Sequence, residues 1–506
     1  GRLLLSLKKV DERLVDLKEK GSYLRNLVYK FDALTPDMNS EYLNLSMDLD
    51  YAISGLRAII GFLDDQSPKH IVVIFENPSE IRPGGGFFGS YADLIIQNGA
   101  IKEINVDDIY RPDKFSDFKV VPPLHLQGVT TLWGARDANW FFDFRKSASK
   151  IMLFLEESDI FKDNGIQFDG VIAINVRLVE DILKIIGDID LPEYDLVLNS
   201  DNFLREVQYE VEAGRDKIPG QNPKKILSVI TPRLIEALKN LEDEDKIKFL
   251  DDLNYRLSNK DIKFFFEDEN LQNFVAKAGA DGAVFETSKN FNGDYLAVVS
   301  ANVAGGKSDY FIKQIINLNS RIDSSGMINN SLSITRTHSG EKEKEWWYRA
   351  QNNNFIKIFT TAGSKLIDVD GNSVKTITPS VDYKKSGYLV DKDLEEVEGS
   401  KELLAHLNTG VYRESGKTVF GTWFNVPAGK SKNLQLIYES SRKISLSNKV
   451  NYQFVLDKQS GVDSAFEYAI EAPAGFKWLE SDSNLFKYSA DNTESRLIIN
   501  LTLIQL

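Results

Sequence analysis

Five segments carry residue types whose spacing could do chemistry. The richest is Glu80-Ile81-Arg82-Pro83-Gly84-Gly85-Gly86-Phe87-Phe88-Gly89-Ser90. Three consecutive glycines let backbone N–H groups approach an anion closely, and Arg82 adds a guanidinium fork. Arg82 with Gly84, Gly85 and Gly86 would form a phosphate or carboxylate cradle. A tight strand connection that needs positive φ explains the same glycines equally well. The second segment, Asp137-Ala138-Asn139-Trp140-Phe141-Phe142-Asp143-Phe144-Arg145, sets two carboxylates and an amide in an aromatic loop. Carboxylates held against aromatics have shifted pKa values or bind a hard cation. The competing reading makes Asp143 the N-cap of the next helix and Trp140 part of the core.

Third, Asp93 and the cluster Asp107, Asp108 and Arg111 lie along and after a strand pair. Acids at a strand end beside a glycine-rich loop could hold Mg²⁺; exposure to solvent is the plainer fate. Fourth, Ala301-Asn302-Val303-Ala304-Gly305-Gly306-Lys307-Ser308 comes after an apolar strand in a loosened phosphate-loop pattern. A phosphate loop needs a helix next. Residues 309–318 have mixed periodicity instead, and the chain soon turns all-β, which argues against an ATPase. Lys307 could still be a single anion contact. Fifth, Arg205, Arg215 and Lys217 sit on or after a helix, where they would complete an anion site or simply face water. No hydrolytic triad order or G-x-S-x-G elbow occurs.

These segments need elements to position them. Leu3, Leu7, Val10, Leu14, Leu17, Leu24, Leu27 and Val28 recur at helical spacing, and Thr35-Pro36 reads as N-cap and N1 of a second helix through Leu43, Met47, Tyr51, Ile59 and Phe62. That predicts a helical hairpin over 1–68, a stalk or a cover for the next domain. Ile71–Phe75 is a continuous apolar run that fits a buried strand. Phe87–Ile96 and Ala100–Val106 flank Asn98-Gly99, a hairpin turn signal. Further helices at Ser147–Leu155, Val176–Ile186, Asp201–Ala213 and Pro223–Lys239, with a strand over Asp169–Asn175, predict an α/β layered domain over 69–325. Beyond it the helical period fades and short alternating strands recur, which predicts β-sandwich modules at 326–440 and 441–506.

Composition narrows the function. The chain has 506 residues, net charge −14, four His and no Cys. Thiol catalysis, disulfides, Fe–S clusters and Cys-based zinc sites are excluded. The acidic balance argues against nucleic acid, which needs clustered Lys/Arg. No apolar run is long enough to span a membrane. The sequence opens Gly1-Arg2-Leu3-Leu4-Leu5, without an initiator Met, and reads as a processed end with a membrane anchor upstream.

Asn77-Pro78-Ser79-Glu80-Ile81-Arg82 through Ser90, Asp137-x-Asn139-Trp140-x-x-Asp143-Phe144, Asp169-Gly170-Val171-Ile172-Ala173-Ile174 and Asn302-x-x-Gly305-Gly306-Lys307-Ser308-Asp309 together resemble an uncharacterised exported bacterial family, domain of unknown function four thousand and twelve. Phe142 and Arg145 stand where that family is expected to have prolines. More distantly, Tyr91-Ala92-Asp93-Leu94-Ile95-Ile96, Ile104–Tyr110 and Asp169–Ile189 resemble LytR-CpsA-Psr phosphotransferases, which move lipid-pyrophosphate-linked glycopolymers using arginines and Mg²⁺-binding aspartates. The resemblance aligns Asp93 and Asp108 with two such aspartates, while Tyr91 and Asp107 replace the neighbouring arginines. It implies a LytR-CpsA-Psr-like α/β fold on an extracytoplasmic cell-surface protein that binds or transfers a phosphorylated, lipid-linked glycan. In that reading Arg82, Asp137 and Asp143 carry catalysis, with Asp93 or Asp108 on Mg²⁺. Gly84, Gly85, Gly86, Asn139, Trp140, Arg215 and Lys307 bind substrate. The alternative is a non-enzymatic scaffold or adhesion protein with surface protein partners and a degenerate head.

Overall fold

The computed structural model describes residues 2–30, 36–214 and 224–506. Its first elements are α1 (Arg2–Lys30) and α2 (Pro36–Leu63). Lys8 pairs with Asp64, Asp11 with Arg57 and Lys18 with Asp50, so the two helices run antiparallel. The proposed cap Thr35 lies outside the described residues. Val10, Leu17, Leu24, Leu43 and Met47 are exposed, so much of the periodic apolar stripe is uncovered. The hairpin is tied to the rest along the C-terminal half of α2. There Tyr51 Oη donates to the Phe274 carbonyl at 2.8 Å, and Gly55 lets the Phe274 ring lie where any Cβ would collide at 2.1 Å.

Among the described residues, a five-stranded mixed sheet organises the α/β domain: β1 (Lys69–Asn77), β2 (Phe87–Gln97), β3 (Ala100–Asp108), β4 (Gly170–Asn175) and β5 (Ile262–Phe266). Its order is β3-β2-β1-β4-β5, with β1 and β4 parallel and every other pair antiparallel. The apolar run of β1 is central because both faces are covered. Val72, Ile74, Val171 and Ala173 face α3 (Phe144–Glu156), in a core that continues into the C-terminal region through Tyr295, Phe355 and Trp423. On the opposite face, Ile71 and Ile172 meet Phe62 of α2, and Ile174 faces the layer made by α4 (Val176–Ile186), α5 (Phe203–Ala213) and α6 (Lys225–Lys239). Local signals behave as expected. Asn98 and Gly99 both take positive φ in the β2–β3 turn, Gly187 takes φ +80° past the end of α4, and Asn175 caps α4 by accepting from Arg177 N.

The C-terminal region is β-rich. An eight-stranded and a six-stranded sheet face each other across one core, with Leu296, Val298 and Phe454 from one sheet meeting Ile316, Leu318, Leu332 and Tyr468 from the other. The expected division at 440 is not found. Lys449–Asp457 pairs in parallel with Gly293–Asn302, and Ser464–Glu471 pairs in parallel with Ile312–Ile322. The last strands thus complete both sheets of a single sandwich. The α/β boundary at 325 moves for the same reason, since strands Gly293–Asn302 and Ile312–Ile322 already belong to the sandwich. Gly293–Asn302 is buried along its whole length at the sheet's centre, so its continuous apolar run looks like an α/β strand.

Candidate functional site

The glycine-rich segment connects β1 to β2 and wraps a buried ion pair. Glu76, near the end of β1, meets Lys263 of β5, with Nζ 2.7 and 3.0 Å from the two carboxylate oxygens. Lys263 also donates to the Gly84 carbonyl at 2.7 Å, and Asn139 Nδ2 donates to Glu76 Oε1 and the Gly86 carbonyl, each at 2.9 Å. The glycines permit this approach. A Cβ on Gly84 would lie 1.8 Å from Asn139 Oδ1. One on Gly85, at φ +140°, would lie 2.6 Å from Glu76 Oε2. Gly84 N donates to the Asn139 carbonyl and Gly85 N to the Arg82 carbonyl. The expected cradle is therefore filled by the chain's own carboxylate, ammonium and amide. Burial pushes the Glu76 carboxyl above its usual range, with Lys263 opposing.

Arg82 is sealed in the same packing. Its Nη2 donates to Glu80 Oε1 at 2.8 Å and Nη1 to the Asn302 carbonyl at 2.6 Å, with Asp137 at 3.8 Å and the Phe87 ring against the guanidinium. Asp137 is buried and accepts from Arg136 Nε at 3.2 Å. Asp143 caps α3 through Arg145 N and holds the Arg145 guanidinium at 3.1 and 2.9 Å, while Trp140 belongs to the core. The capping reading of this segment describes its geometry.

Asp93 and Asp108 do not converge. Asp108 pairs with Ser90 across β2–β3, and Asp93 stands three positions further along β2. An odd offset puts the two carboxylates on opposite faces, roughly 10 Å apart along the strands. Asp93 is instead held by His70 Nδ1 at 3.0 Å. Among the described residues no group of three or more His, Asp or Glu side chains could hold a metal ion. Asp93 and Asp108 therefore do not form one donor set for Mg²⁺.

What the fold does assemble is an apolar cavity of about 480 Å³ between the ends of β1 and β4 and helices α4, α5 and α6. Phe75 and Ile174 come from the strands, Val207 and Val211 from α5, Ile230 and Leu234 from α6. Its polar residues gather from distant parts of the chain. Lys224, just before α6, donates to the Gly89 carbonyl and, at 2.6 Å, to Asp108 Oδ1, with its ammonium 4.7 Å over the Tyr110 ring. Lys307 Nζ lies 2.8 Å from Glu212 Oε1 at the end of α5. Burial holds the Lys224 ammonium below its usual pKa; Asp108 and Glu212 oppose that shift, and Lys307 reinforces it. Asp108 and Lys307 thus reach one place, without Asp93. Arg205 turns away to Glu343 at 2.6 Å, and Arg215 lies outside the described residues.

Sequence reasoning missed Lys224, Glu212 and Tyr110. It also missed that the apolar faces of α5 and α6 border a gap. Leu204, Val207 and Val211, and Leu227, Ile230 and Leu234, recur at three- and four-residue steps. That spacing marks a buried face but not whether the space beyond it is filled.

Residues 66–211 match the family model described as protein of unknown function (DUF4012), which spans the glycine-rich and Asp137–Phe144 segments. No curated protein sequence matches the chain. Three similar solved structures are the Lin1025 protein of Listeria innocua, protein gbs0355 of Streptococcus agalactiae and TagV of B. subtilis. They are 12, 13 and 11% identical, with TM-scores of 0.23, 0.22 and 0.23. They cover 46, 42 and 43% of this chain and 85, 73 and 82% of their own. Overlaps that loose carry no argument about function.

Proposed function

We propose that this chain, which carries the DUF4012 region over residues 66–211, binds an amphiphile: a long apolar chain in the cavity, with a phosphorylated headgroup at Lys224 and Lys307. One observation supports the reading above all others, an apolar cavity of about 480 Å³ bordered by two lysines. That volume lies in the range of small-molecule sites, and each CH₂ moved from water into it contributes about 0.8 kcal/mol. Both lysines are paired with carboxylates, so an incoming phosphate would displace Asp108 and Glu212 and take over their ammonium partners.

The finer form of the proposal takes the amphiphile to be a lipid-pyrophosphate-linked envelope glycan, bound by an extracytoplasmic, membrane-anchored protein. It rests on the motif resemblance. Binding is placed ahead of transfer, because Arg82, Asp137 and Asp143 are engaged in internal ion pairs away from the cavity lining. Mg²⁺ enters only as a counter-ion carried by the ligand's own phosphates.

The test uses the whole chain with farnesyl pyrophosphate, farnesol and inorganic pyrophosphate, each with and without Mg²⁺, in a thermal-shift assay. Farnesyl pyrophosphate should raise Tm more than either half-molecule. Val207→Trp, which fills the cavity, should abolish the shift, and Lys224→Met with Lys307→Met should reduce it to that of farnesol. No shift with any ligand would leave the head as part of a scaffold.

A further inference from the structure

A second cavity, of about 330 Å³, lies between the α/β domain and the sandwich. Its floor comes from two adjacent strands. Arg336 on Met327–His338 is the direct cross-strand partner of Gln314 on Ile312–Ile322. Direct partners project from the same face, about 5 Å apart. Both side chains are buried and both keep unused hydrogen-bonding capacity. Arg336 Nη2 donates to Asp309 Oδ1 at 3.0 Å, but its buried Nε and Nη1 have no partner among the described residues. Gln314 Nε2 donates to Ser464 Oγ at 2.9 Å, which leaves a buried Oε1 without a partner among the described residues.

Asp309 does not answer this need. Its two oxygens already accept from Ile81 N, Asn302 Nδ2 and Asn352 Nδ2 as well as Arg336. Arg177, also lining the cavity, is held in a fork by Asp463 at 3.1 and 2.8 Å. Tyr310 adds a half-exposed aromatic wall. Leaving charged donors buried and unmatched is costly, and each unmatched guanidinium N–H is a charge-assisted donor suited to a carboxylate or phosphate oxygen. The neighbouring amide oxygen is shaped for a hydroxyl donor.

We propose that this cleft binds a hydroxylated acid of monosaccharide size, with its anionic group accepting from one of the unpartnered Arg336 donors, Nε–H or Nη1–H, and a neighbouring hydroxyl donating to Gln314 Oε1. Val176 and Leu204 line both cavities, so the cleft stands beside the apolar site. It does not depend on that site taking a lipid.

The experiment is isothermal titration of the full chain with glucuronate, glucose 6-phosphate, glucose and inorganic phosphate. One or both sugar acids should bind and neutral glucose should not; the arm that binds identifies carboxylate or phosphate as the anchor. Arg336→Met should weaken the bound acid roughly ten- to a hundredfold, the loss expected of charge-assisted hydrogen bonds. Asp309 keeps three other donors in that variant. Gln314→Leu should weaken the sugar acid while leaving inorganic phosphate unchanged, and it carries the test alone should Arg336→Met not fold. Absence of binding by both sugar acids, or binding that neither variant alters, overturns the proposal. Inorganic phosphate binding as tightly as the sugar acids overturns the assignment to a hydroxylated ligand.

Discussion

Replacing Glu76 by Gln should cost the fold roughly 3–5 kcal/mol, because it strands a buried ammonium. The Lys263 side chain is 2% exposed and that of Glu76 0%. Around Lys263 Nζ stand the two Glu76 oxygens at 2.7 and 3.0 Å and the Gly84 carbonyl at 2.7 Å. The amide keeps the shape and one oxygen acceptor but removes the charge that offsets the ammonium. Adding Lys263→Met to Glu76→Gln removes the stranded charge and should recover much of the loss, since a neutral pair has no buried ion to desolvate. Gly85→Ala probes the same packing sterically. Its Cβ would press on Glu76 Oε2 at 2.6 Å from a backbone at φ +140°, a strain of about 1–3 kcal/mol before any clash is relieved. Urea unfolding followed by far-UV circular dichroism reads all three variants. A Glu76→Gln protein within about 1 kcal/mol of the parent would refute the view that the glycines exist to close over an ion pair. So would a double variant no more stable than the single one.

Asn175→Ala removes the N-cap of α4 and should lower stability by about 1 kcal/mol; an unchanged urea midpoint would count against the cap. Burial pushes the Glu398 carboxyl up to about 7, against a hydrogen bond from Leu124 N at 2.7 Å. Between the ordinary 4.5 and that value the folded chain holds a proton the unfolded chain releases, so this group's contribution to stability falls as pH rises through the window. Glu398→Gln should flatten that part of the stability–pH profile, and an identical profile would show that the group does not titrate there. Lys417, lowered to about 8 by burial, works the other way: the unfolded chain binds the extra proton, and stability rises with pH between 8 and 10.5. Lys417→Met should remove that rise, as read by Tm across the range.

Local signals carried most of the α/β domain. The Asn98-Gly99 turn, the Gly187 stop and the Asp143 cap each depend on a few neighbouring residues, so their physics is contained in the sequence beside them. The glycine-rich segment was half legible. Three glycines announce a close approach, but what approaches is Lys263, 187 positions from Glu76, and a lysine in a strand reads as an exposed charge. Asp93 and Asp108 misled for a related reason. Position along a strand was visible, but register, which decides the face, was not. The sandwich shows the same limit on a larger scale. Alternation marked short strands beyond residue 325, yet nothing local says that Lys449–Asp457 and Ser464–Glu471 take Gly293–Asn302 and Ile312–Ile322 as partners.

The sandwich also braces the head. Arg205, Gln208 and Glu212 lie at i, i+3 and i+7 along α5, and each bonds to the segment that leads into or loops out of the sandwich. Arg205 meets Glu343 at 2.6 Å, Gln208 accepts from Tyr348 Oη at 2.7 Å, and Glu212 meets Lys307 at 2.8 Å. Gln208 also donates to Asn77 Oδ1 and Ser79 Oγ at the end of β1. The intervening positions Leu204, Val207 and Val211 line the apolar cavity. One helix therefore has a polar face fixed to the sandwich and an apolar face that forms the cavity wall. Tyr348→Phe with Arg205→Ala cuts two of the three ties without touching the apolar lining. The wall should then be free to collapse inward or swing out, so binding of farnesyl pyrophosphate should weaken even though every apolar contact residue is retained. Equal affinity in that variant would mean that the head holds its cavity open by itself, and the sandwich would have no part in the site.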